Sequence, residues 1–578
     1  MKKIALFVLV LLPLAATAQT PSQLKKQGKA GNRDAYTALG AYHEQRQEYK
    51  KAAKYYTLAA TPQADYELAT LYLNGHVGAS TDNDIARGIA LLRRSAAAGN
   101  RDGRYWLAYC YVQGLAGMQK ADSAALIFES LAQQGDSMAL LQLGLAYDLG
   151  NGVAPDTARA LSLYRQAGDR GVSNGYTFLA DFYRDGEFVG RNADTAFALY
   201  RRAYALGGNN TAAAEALALC HLNGIGTPSD TAAALPFVQE AAAQGSAQAK
   251  ALLADYFNYG WAGLTPDGDT ALALYYAASQ DGYPYADYMM GAWLYSQQAF
   301  DQAFPFISSA ASNGYTDAYL LYARAILHGN GVEADPEGAY GLLRHMAHLF
   351  DNGEPQHLLG LMHLSGFGCE KDPALAVSYL DTAAGFGNTA AMMTLGDLYA
   401  TGQGVARDTL RAVQCYQRAI DSGSVSAMMR LAGSYASGRT APLDLKRAAE
   451  LYQQAADHGD PEALCRLGLC YERGDGVVLN SRRAFGLYSQ AAEQGSHYGM
   501  FLLAMCYVDG VYVQHDMQQA FQWLLRAAEA GNLQSCYNVG LMYHTGEGVK
   551  KNKKEAKRWL TLAADNGHPA AADLLKTL

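Results

Sequence analysis

The sequence predicts an all-α fold, a right-handed α-solenoid of about fifteen two-helix repeats with a terminal capping helix. The first observation is a glycine that recurs every 36 residues from Gly387 to Gly567, with looser copies back to Gly31. The second is a helical spacing of apolar residues within each copy. The third is one position in each copy that never carries a side chain larger than a methyl group. Because such a repeat cannot bury its apolar face alone, stacked neighbours are expected to bury it.

Two helices are predicted in each copy. In the repeat that opens at Gly387, apolar residues return about every fourth position in two separate stretches, so they share one face of each helix. These residues are Ala391, Leu395 and Tyr399 in the first helix, and Ala412, Tyr416 and Ala419 in the second.

A turn is predicted between the two helices. Gly402 and Gly404 supply backbone conformations that would strain any other residue. Asp408 is placed to cap the second helix by accepting a hydrogen bond from its free N–H groups. Gly423 then ends the second helix and opens the next copy.

Position nine, counted from the opening glycine as zero, predicts a close approach between the paired helices. It is glycine or alanine in all fifteen copies, and a leucine precedes it in twelve. We expect the backbone of the partner helix to approach at this position, with the leucine in the core between the helices. The residues are Gly40, Ala69, Ala108, Gly144, Ala180, Ala218, Ala254, Gly291, Ala323, Gly360, Gly396, Ala432, Gly468, Ala504 and Gly540.

The run L-G-x-x-Y-x-x-G-x-G-V occurs at Leu395 to Val405 and again at Leu467 to Val477. This run resembles the Sel1-like repeat, a relative of the tetratricopeptide repeat, over about residues 31–578. The match is looser at residues 282–353. The resemblance implies a scaffold or adaptor that binds proteins or peptides on its concave side. The resemblance also implies an affinity for penicillin-like ligands, which is a property of some cysteine-rich secreted members of the family.

The amino terminus has the pattern of a cleavable secretory signal. Lys2 and Lys3 precede an apolar run from Ile4 to Leu14, and Ala16-Thr17-Ala18 follows. We therefore predict a signal peptide at residues 1–18 with cleavage after Ala18, a flexible segment at 19–30, and the solenoid at 31–578. The expected location is periplasmic or secreted. No later apolar run approaches the roughly 20 residues of a membrane span.

The formal net charge of −8 argues against a nucleic-acid partner. One local exception is a basic cluster in the last full repeat, which is either a solvated end face or a contact for an acidic partner. Its residues are Lys550, Lys551, Lys553, Lys554, Lys557 and Arg558.

The eight cysteines are predicted to be buried free thiols. Cys110, Cys220, Cys470 and Cys506 all occupy position eleven. The nearest two are therefore one full repeat apart, beyond the roughly 7 Å between Cα atoms that a disulfide allows. A bridge between repeats remains the alternative.

The histidines are predicted to be packed aromatic rings. Position twelve is usually tyrosine, and His43, His221 and His363 replace it. His345, His348, His357 and His363 cluster in the sequence with Glu354, which could suggest zinc. The helical frame separates them onto different helices and faces, so neither a metal site nor a cofactor is predicted.

Patterns that could indicate catalysis are weak. Gly171 to Gly175 fits G-x-S-x-G, but the motif needs a strand entering a helix, whereas Ser173 lies at a helix-to-helix turn. Ser22 and Lys25 fit S-x-x-K, but they lie in the expected flexible segment. Asp267 and Asp269 are too few ligands for calcium. The sequence therefore predicts a protein that is not an enzyme, with a penicillin-related hydrolase as the weakest alternative.

The groove is the predicted binding site. Positions three, six, ten and thirteen of each first helix share the face opposite the buried stripe, and in tetratricopeptide relatives this face lines the concave surface. The alternative is that tight superhelical packing buries these side chains. The predicted ligand-binding residues are Tyr105, Tyr109, Tyr285, Tyr288, Tyr295, Arg324, Tyr498, Phe501, Met505 and Tyr537.

The predicted function is an exported, non-enzymatic scaffold that holds a protein or peptide partner of the cell envelope in its groove. The main alternative is a cell-wall or glycan-binding module that stacks sugars on the same tyrosines.

Overall fold

A computed structural model describes residues 19–78, 81–115, 120–207, 210–350 and 353–576. The predicted signal peptide, residues 1–18, lies outside these ranges. The described chain forms 32 α-helices and one short 3₁₀ helix, Trp261–Gly263, and no strand occurs within it. The prediction of an all-α solenoid is confirmed.

Fifteen first helices alternate with fifteen second helices, flanked by α1 (Pro21–Lys29) and α32 (Pro569–Leu575). The count of fifteen predicted repeats thus agrees with the helix pairs. The first helices are α2 (Arg33–Gln45), α4 (Pro62–Leu73), α6 (Arg101–Val112), α8 (Ser137–Leu149), α10 (Ser173–Asp185), α12 (Thr211–Asn223), α14 (Ala247–Tyr259), α16 (Pro284–Ser296), α18 (Thr316–His328), α20 (Glu354–Ser365), α22 (Thr389–Thr401), α24 (Val425–Ser437), α26 (Pro461–Arg473), α28 (His497–Asp509) and α30 (Leu533–Thr545). The second helices are α3 (Tyr49–Ala59), α5 (Asp82–Ala97), α7 (Ala121–Gln133), α9 (Thr157–Asp169), α11 (Ala193–Ala205), α13 (Thr231–Ala243), α15 (Gly268–Gln280), α17 (Phe300–Ser312), α19 (Pro336–Met346), α21 (Pro373–Gly385), α23 (Thr409–Asp421), α25 (Leu445–Asp457), α27 (Ser481–Glu493), α29 (Met517–Glu529) and α31 (Lys553–Asp565).

The chain divides into two compact units, residues 1–290 and 291–578, which are called the N-terminal and C-terminal units below. Consecutive helices pack against each other from α1 to α15 in the N-terminal unit and from α17 to α32 in the C-terminal unit, and the core lies between the paired helices. Leu39, Leu395 and Leu467, which precede position nine, are almost fully buried as predicted. The core is therefore a continuous series of local contacts in each unit.

At position nine a side chain of the second helix approaches most closely, and the expected backbone approach also occurs in some repeats. A Cβ added at Gly360 would lie 3.2 Å from the carbonyl oxygen of Ala376, and one added at Gly540 would lie 3.2 Å from the backbone nitrogen of Leu560. A Cβ added at Gly396 would lie 2.7 Å from Cδ1 of Tyr416 on the second helix, and one added at Gly144 would lie 2.7 Å from Cε1 of Tyr164. In the repeat of Gly360 the opposing residue is Leu380. Position nine is small because a large second-helix side chain fills the space.

The turn between the helices has the predicted chemistry. Gly402 and Gly404 have φ values of 74° and 75°, in the left-handed region that favours glycine. The carboxylate of Asp408 accepts a hydrogen bond from the backbone N–H of Arg411 at 3.0 Å and caps α23. The sequence signals at this turn are confirmed.

The segment at residues 19–30 differs from the flexible tail that was expected. It contains α1, which begins with a capping box formed by Thr20 and Gln23. Its residue Gly28 is buried against the ring of Tyr36 on α2, where a Cβ would lie 2.6 Å from Cδ1 of that ring. The sequence of this helix is polar, and the buried residue that packs against Tyr36 is a glycine, so no apolar spacing indicated the helix.

All eight cysteines are free, seven of them buried and Cys369 half-buried. Burial raises the pKa of Cys110 to about 12 and that of Cys465 to about 11. Because the thiolate is the reactive form, these side chains should react slowly in the folded protein.

We expect a thiol-reactive dye to titrate eight cysteines per chain in denaturant without reductant, and far fewer during a short exposure of the folded protein. Mass spectrometry after blocking free thiols would check the count. Finding three or more disulfides would contradict both the cysteine positions and the helical frame.

Candidate functional site

The surface at positions three, six, ten and thirteen of the first helices is called the first-helix face. The structure adds position seven to it, because residues there contact the predicted positions. Trp106 at position seven packs edge-on against Tyr109 at position ten, with ring centroids 5.3 Å apart. Arg430 at position seven lies 3.5 Å from the carboxylate of Asp397 at position ten of the preceding repeat.

Tyrosines of the second helices donate hydrogen bonds to carboxylates on this face. Tyr416 donates to Asp397 at 2.6 Å, and Tyr488 donates to Glu472 at 2.5 Å. Each tyrosine crosses the core beside position nine and ends at the first-helix face. The pairs in the N-terminal unit are Tyr56–Glu44, Tyr164–Asp148, Tyr200–Asp181 and Tyr275–Asp255.

In the C-terminal unit the structure brings several predicted residues into one cluster. We call Tyr498, Phe501, Met505 and Tyr537 the C-terminal aromatic patch; all four are half-buried. Tyr498 and Phe501 stack with centroids 6.3 Å apart, and Phe501, Met505 and Tyr537 pack against the same core cluster. The patch therefore presents partly exposed aromatic surface on α28 and α30.

Neighbouring repeats extend this patch at both ends. The guanidinium of Arg466 on α26 lies 5.9 Å from the ring centre of Tyr498. His568, which precedes α32, stacks on Tyr537 at 4.4 Å, and its Nε2 lies 3.2 Å from the side-chain oxygen of Gln534. The sequence prediction did not include Arg466 or His568, because each lies one repeat away from the aromatic residue that it contacts.

In the N-terminal unit, the predicted residues Tyr105 and Tyr109 both contact Trp106, which the sequence prediction missed. Tyr105 also packs edge-on against the buried Phe128 of the second helix. Burial raises the pKa of Tyr105 to about 12. Its phenol therefore stays neutral, and Tyr105 contributes as much to packing as to the exposed face.

The three predicted tyrosines of α16 do not share one environment. Tyr285, in the N-terminal unit, donates a 2.8 Å hydrogen bond to the carboxylate of Asp255, and Tyr275 donates a hydrogen bond to the same carboxylate. Tyr295, in the C-terminal unit, accepts a 2.6 Å hydrogen bond from the amide of Asn330. Tyr288 is half-buried. The carboxylate of Asp255 is therefore engaged by two tyrosine hydroxyls within the fold.

Arg324 lines a cavity of about 450 Å³ on the first-helix face of the C-terminal unit. Its guanidinium pairs with Glu354 on α20. His357 and the residues at the start of α22, Gly387 to Ala390, complete the wall. Burial, together with the charge of Arg324, lowers the pKa of His357, so this ring is neutral near pH 7.

The two units differ in the charge of this face. In the N-terminal unit the five positions carry eight carboxylates and one cation, Arg184, which pairs with Asp181 at 2.9 Å. In the C-terminal unit three arginines neutralise carboxylates on the same face. These pairs are Arg324–Glu354, Arg430–Asp397 and Arg466–Glu462.

The position-twelve histidines pack as aromatic rings, which confirms that prediction. His363 stacks on Tyr379, His221 stacks on Phe237, and His43 stacks on Tyr55. Across the ranges that the structure describes, no three His, Cys, Asp or Glu side chains come together as metal ligands would.

The candidate nucleophiles are engaged in structural hydrogen bonds. The hydroxyl of Ser173 donates to the carbonyl of Ala203 at 3.0 Å and also contacts the amide of Asn210. Ser22 bonds to the hydroxyl of Thr20 at the start of α1. The carboxylate of Asp267 caps α15 by accepting from Thr270. These three residues therefore have roles at helix starts.

The basic cluster at the start of α31 is exposed, and one of its members, Arg558, pairs with Glu555 at 3.3 Å. Within the described part of the chain, no helix combines the length and apolar character needed to cross a membrane.

The Sel1 repeat family model matches this chain fourteen times. The one helix pair without a match is α16 and α17, where repeat lengths drift. The matched residues are 33–61, 62–100, 102–136, 137–172, 173–208, 211–246, 247–283, 316–348, 356–385, 389–424, 425–460, 461–496, 497–532 and 533–568.

Three individual proteins are similar to parts of the chain. Chitin synthase regulatory factor 3 of Schizosaccharomyces pombe is 28% identical over 312 residues, which is 48% of this chain and 33% of that protein. A Sel1 repeat protein from Oxalobacter formigenes is 26% identical, covering 59% of this chain and 90% of that chain, with a TM-score of 0.42. A protective antigen of uropathogenic Escherichia coli with an SLR fold is 22% identical, covering 85% and 89%, with a TM-score of 0.38.

The chain spans only about a third of the length of the curated relatives that it matches. The family assignment rests instead on the fourteen matches, which together cover most of the sequence and coincide with the helix pairs. This chain belongs to the Sel1 repeat family.

Proposed function

We propose that this protein is a non-enzymatic scaffold that holds a protein or peptide partner on its first-helix faces. Sel1 repeat proteins are generally protein-interaction scaffolds. The observation that carries the proposal is the C-terminal aromatic patch, whose rings are partly exposed on successive first helices. Aromatic residues and arginine are enriched at binding hot spots because they bury large areas at a small entropic cost.

The patch has the composition of an interface. Phe501 and Met505 offer apolar surface, while Arg466 and Gln534 lie at its edges and can orient a polar backbone. Tyr537 already stacks on His568 in the free protein, so a ligand would have to order few additional side chains. We propose that an extended peptide or a helix of the partner lies along this patch.

We also propose that the protein acts outside the cytoplasm, in the periplasm or after secretion. The support is the signal-like pattern of residues 1–18 in the sequence. The partner would then be a component of the cell envelope.

Replacing both Phe501 and Tyr537 by alanine should weaken retention of the partner by about 2 kcal/mol or more, while leaving the helix content intact. A photo-crosslinking amino acid at Tyr498 in intact cells would identify the partner. Purified partner and protein would then be compared by calorimetry for the parent and the double variant.

The matched control is the change of Arg344 and His345, both exposed on the second helix α19. It should leave retention unchanged. If the control weakens binding as much as the aromatic pair does, or if the aromatic pair only unfolds the protein, the first-helix face is not the binding surface. A glycan-binding module, the second candidate, would instead be retained on insoluble cell wall after protease treatment of that wall.

A further inference from the structure

The first-helix face of α2, α4 and α6 carries four carboxylates that form no ion pair within the described residues, although Glu44 accepts a hydrogen bond from Tyr56. Its carboxylates are Asp34 and Glu44 on α2, Glu67 on α4 and Asp102 on α6. Asp34 and Asp102 are exposed, Glu44 is half-buried, and Glu67 is only 6% exposed. None of the four forms an ion pair with a cation of the described residues.

Three of these carboxylates lie close enough to affect one another. Burial, together with the negative charges of Glu44 and Asp102, raises the pKa of Glu67 to about 7, against a hydrogen bond from the Gln63 amide. That 2.7 Å bond brings a neutral donor and no compensating charge. A carboxylate held between two others in a buried position is unfavourable for the fold alone.

The cations on these helices point elsewhere. Arg101 donates to Asp136 at 2.7 Å, and Arg104 donates to Ser130 on the second helix α7 at 2.8 Å. His43 contacts Glu48 at the start of α3. Arg33 is the first residue of α2, at position two and outside the face. The face is therefore acidic for two reasons: it carries carboxylates, and the arginines of its helices lie outside it or bond to residues on other elements.

Aromatic rings border the carboxylates. Tyr105, Trp106 and Tyr109 form a connected, half-buried group on α6, the helix that also carries Asp102. On the first-helix face of the C-terminal unit, the guanidinium of Arg466 lies over the ring of Tyr498. No described lysine or arginine covers these three rings. A ring face beside carboxylates is a favourable site for a cation.

We infer that the face of α2, α4 and α6 binds a segment rich in lysine and arginine on the surface of a protein partner. The inference rests on the proposed scaffold function and adds the chemistry of the partner. The cationic head groups would pair with Glu44, Glu67 and Asp102, and their apolar stems or guanidinium planes would lie on Trp106 and Tyr109. Charge complementarity selects this occupant, because the face offers negative charge and aromatic surface, and no described lysine or arginine pairs with its four carboxylates.

The test uses the full chain and two fluorescein-labelled peptides, one of alternating arginine and serine and one with glutamate in place of arginine. Fluorescence anisotropy at low salt should show binding of the arginine peptide only, weakening as NaCl is added. Combining Glu67→Gln with Asp102→Asn should weaken that binding about tenfold or more.

The matched control combines Glu462→Gln with Asp397→Asn, the same change in net charge on the C-terminal unit. It should alter binding by less than about twofold, because those carboxylates already pair with arginines. Thermal melting followed by circular dichroism would confirm that both double variants fold.

Three results would overturn the inference: no binding of the arginine peptide, equal losses in the two double variants, or binding that is insensitive to salt. Salt-sensitive self-association that disappears with Lys553→Gln and Lys554→Gln would also overturn it, because the occupant would then be a second copy of this chain. A partner crosslinked at Tyr498 together with a negative peptide result would leave the scaffold function standing and reject only the basic partner.

Discussion

Replacing Gly396 by alanine is expected to lower the free energy of unfolding by about 1–3 kcal/mol. The added Cβ would lie 2.7 Å from Cδ1 of Tyr416, whose ring is buried and whose hydroxyl is tied to Asp397. The ring therefore cannot move aside without losing a hydrogen bond. Urea unfolding followed by circular dichroism would measure the change.

The same substitution at Gly433, in the next repeat, is the matched control. Its added Cβ would meet nothing nearer than the hydroxyl of Tyr452 at 3.9 Å. Because glycine is less favourable than alanine in the interior of a helix, Gly433→Ala is expected to stabilise the protein by up to about 1 kcal/mol. Changes of the same sign at both positions would contradict the proposed packing of position nine.

Replacing Glu67 by glutamine is expected to stabilise the protein near pH 8 and to have little effect near pH 4. The pKa of Glu67 is about 7 in the folded protein, against an ordinary value of 4.5. The folded state therefore binds the proton more tightly than the unfolded state, and stability falls as the pH rises from about 4.5 to about 7. The difference corresponds to about 3 kcal/mol at pH values above both.

The charged groups that face Glu67 act in the same direction as burial. Glu44 and Asp102 disfavour its charged form, and the Gln63 amide offsets part of their effect. Urea unfolding of parent and variant at both pH values would measure the difference, and hydrogen exchange of α4 would locate it. The control is Glu462→Gln at a residue paired with Arg466, where little change is expected. A gain that is equal at the two pH values would contradict the buried charge.

The Glu67 variant also separates stability from binding. If a residue serves only the fold, its replacement should destabilise the protein. A residue that serves ligand binding can itself destabilise the free protein, so its replacement can stabilise that protein. A variant that is more stable and binds the basic peptide less tightly is the combined result expected from the acidic face.

The fold could be predicted because every contact in a solenoid is local. The recurrence of Gly387 and its copies fixes the repeat length, and position nine fixes which faces of the two helices meet. Helix α1 escaped prediction because it is polar and lies before the first repeat. The side chain opposite position nine could not be assigned, since the offset between two helices depends on the turn that joins them.

The candidate binding face was only partly predictable. The positions of Tyr498, Phe501 and Tyr537 follow from helical spacing, and the structure places all three on one face. Position seven was missed because it lies at the border of the predicted face. Whether a residue there belongs to the face depends on its contacts with the neighbouring residues and repeats. For example, Trp106 shows its role only through its contact with Tyr109, and Arg466 only through its contact with Tyr498.

The second-helix tyrosines that cross the core influence the electrostatics of the first-helix face. The hydroxyl of Tyr200 donates to Asp181, and that of Tyr416 donates to Asp397, so loss of either oxygen would remove one hydrogen bond from a carboxylate that an arginine also contacts. A phenylalanine at such a buried position would keep the shape of the repeat and alter its outer electrostatics. The binding specificity of such a protein can therefore change through substitutions of buried residues that contact no ligand, while its surface residues stay the same.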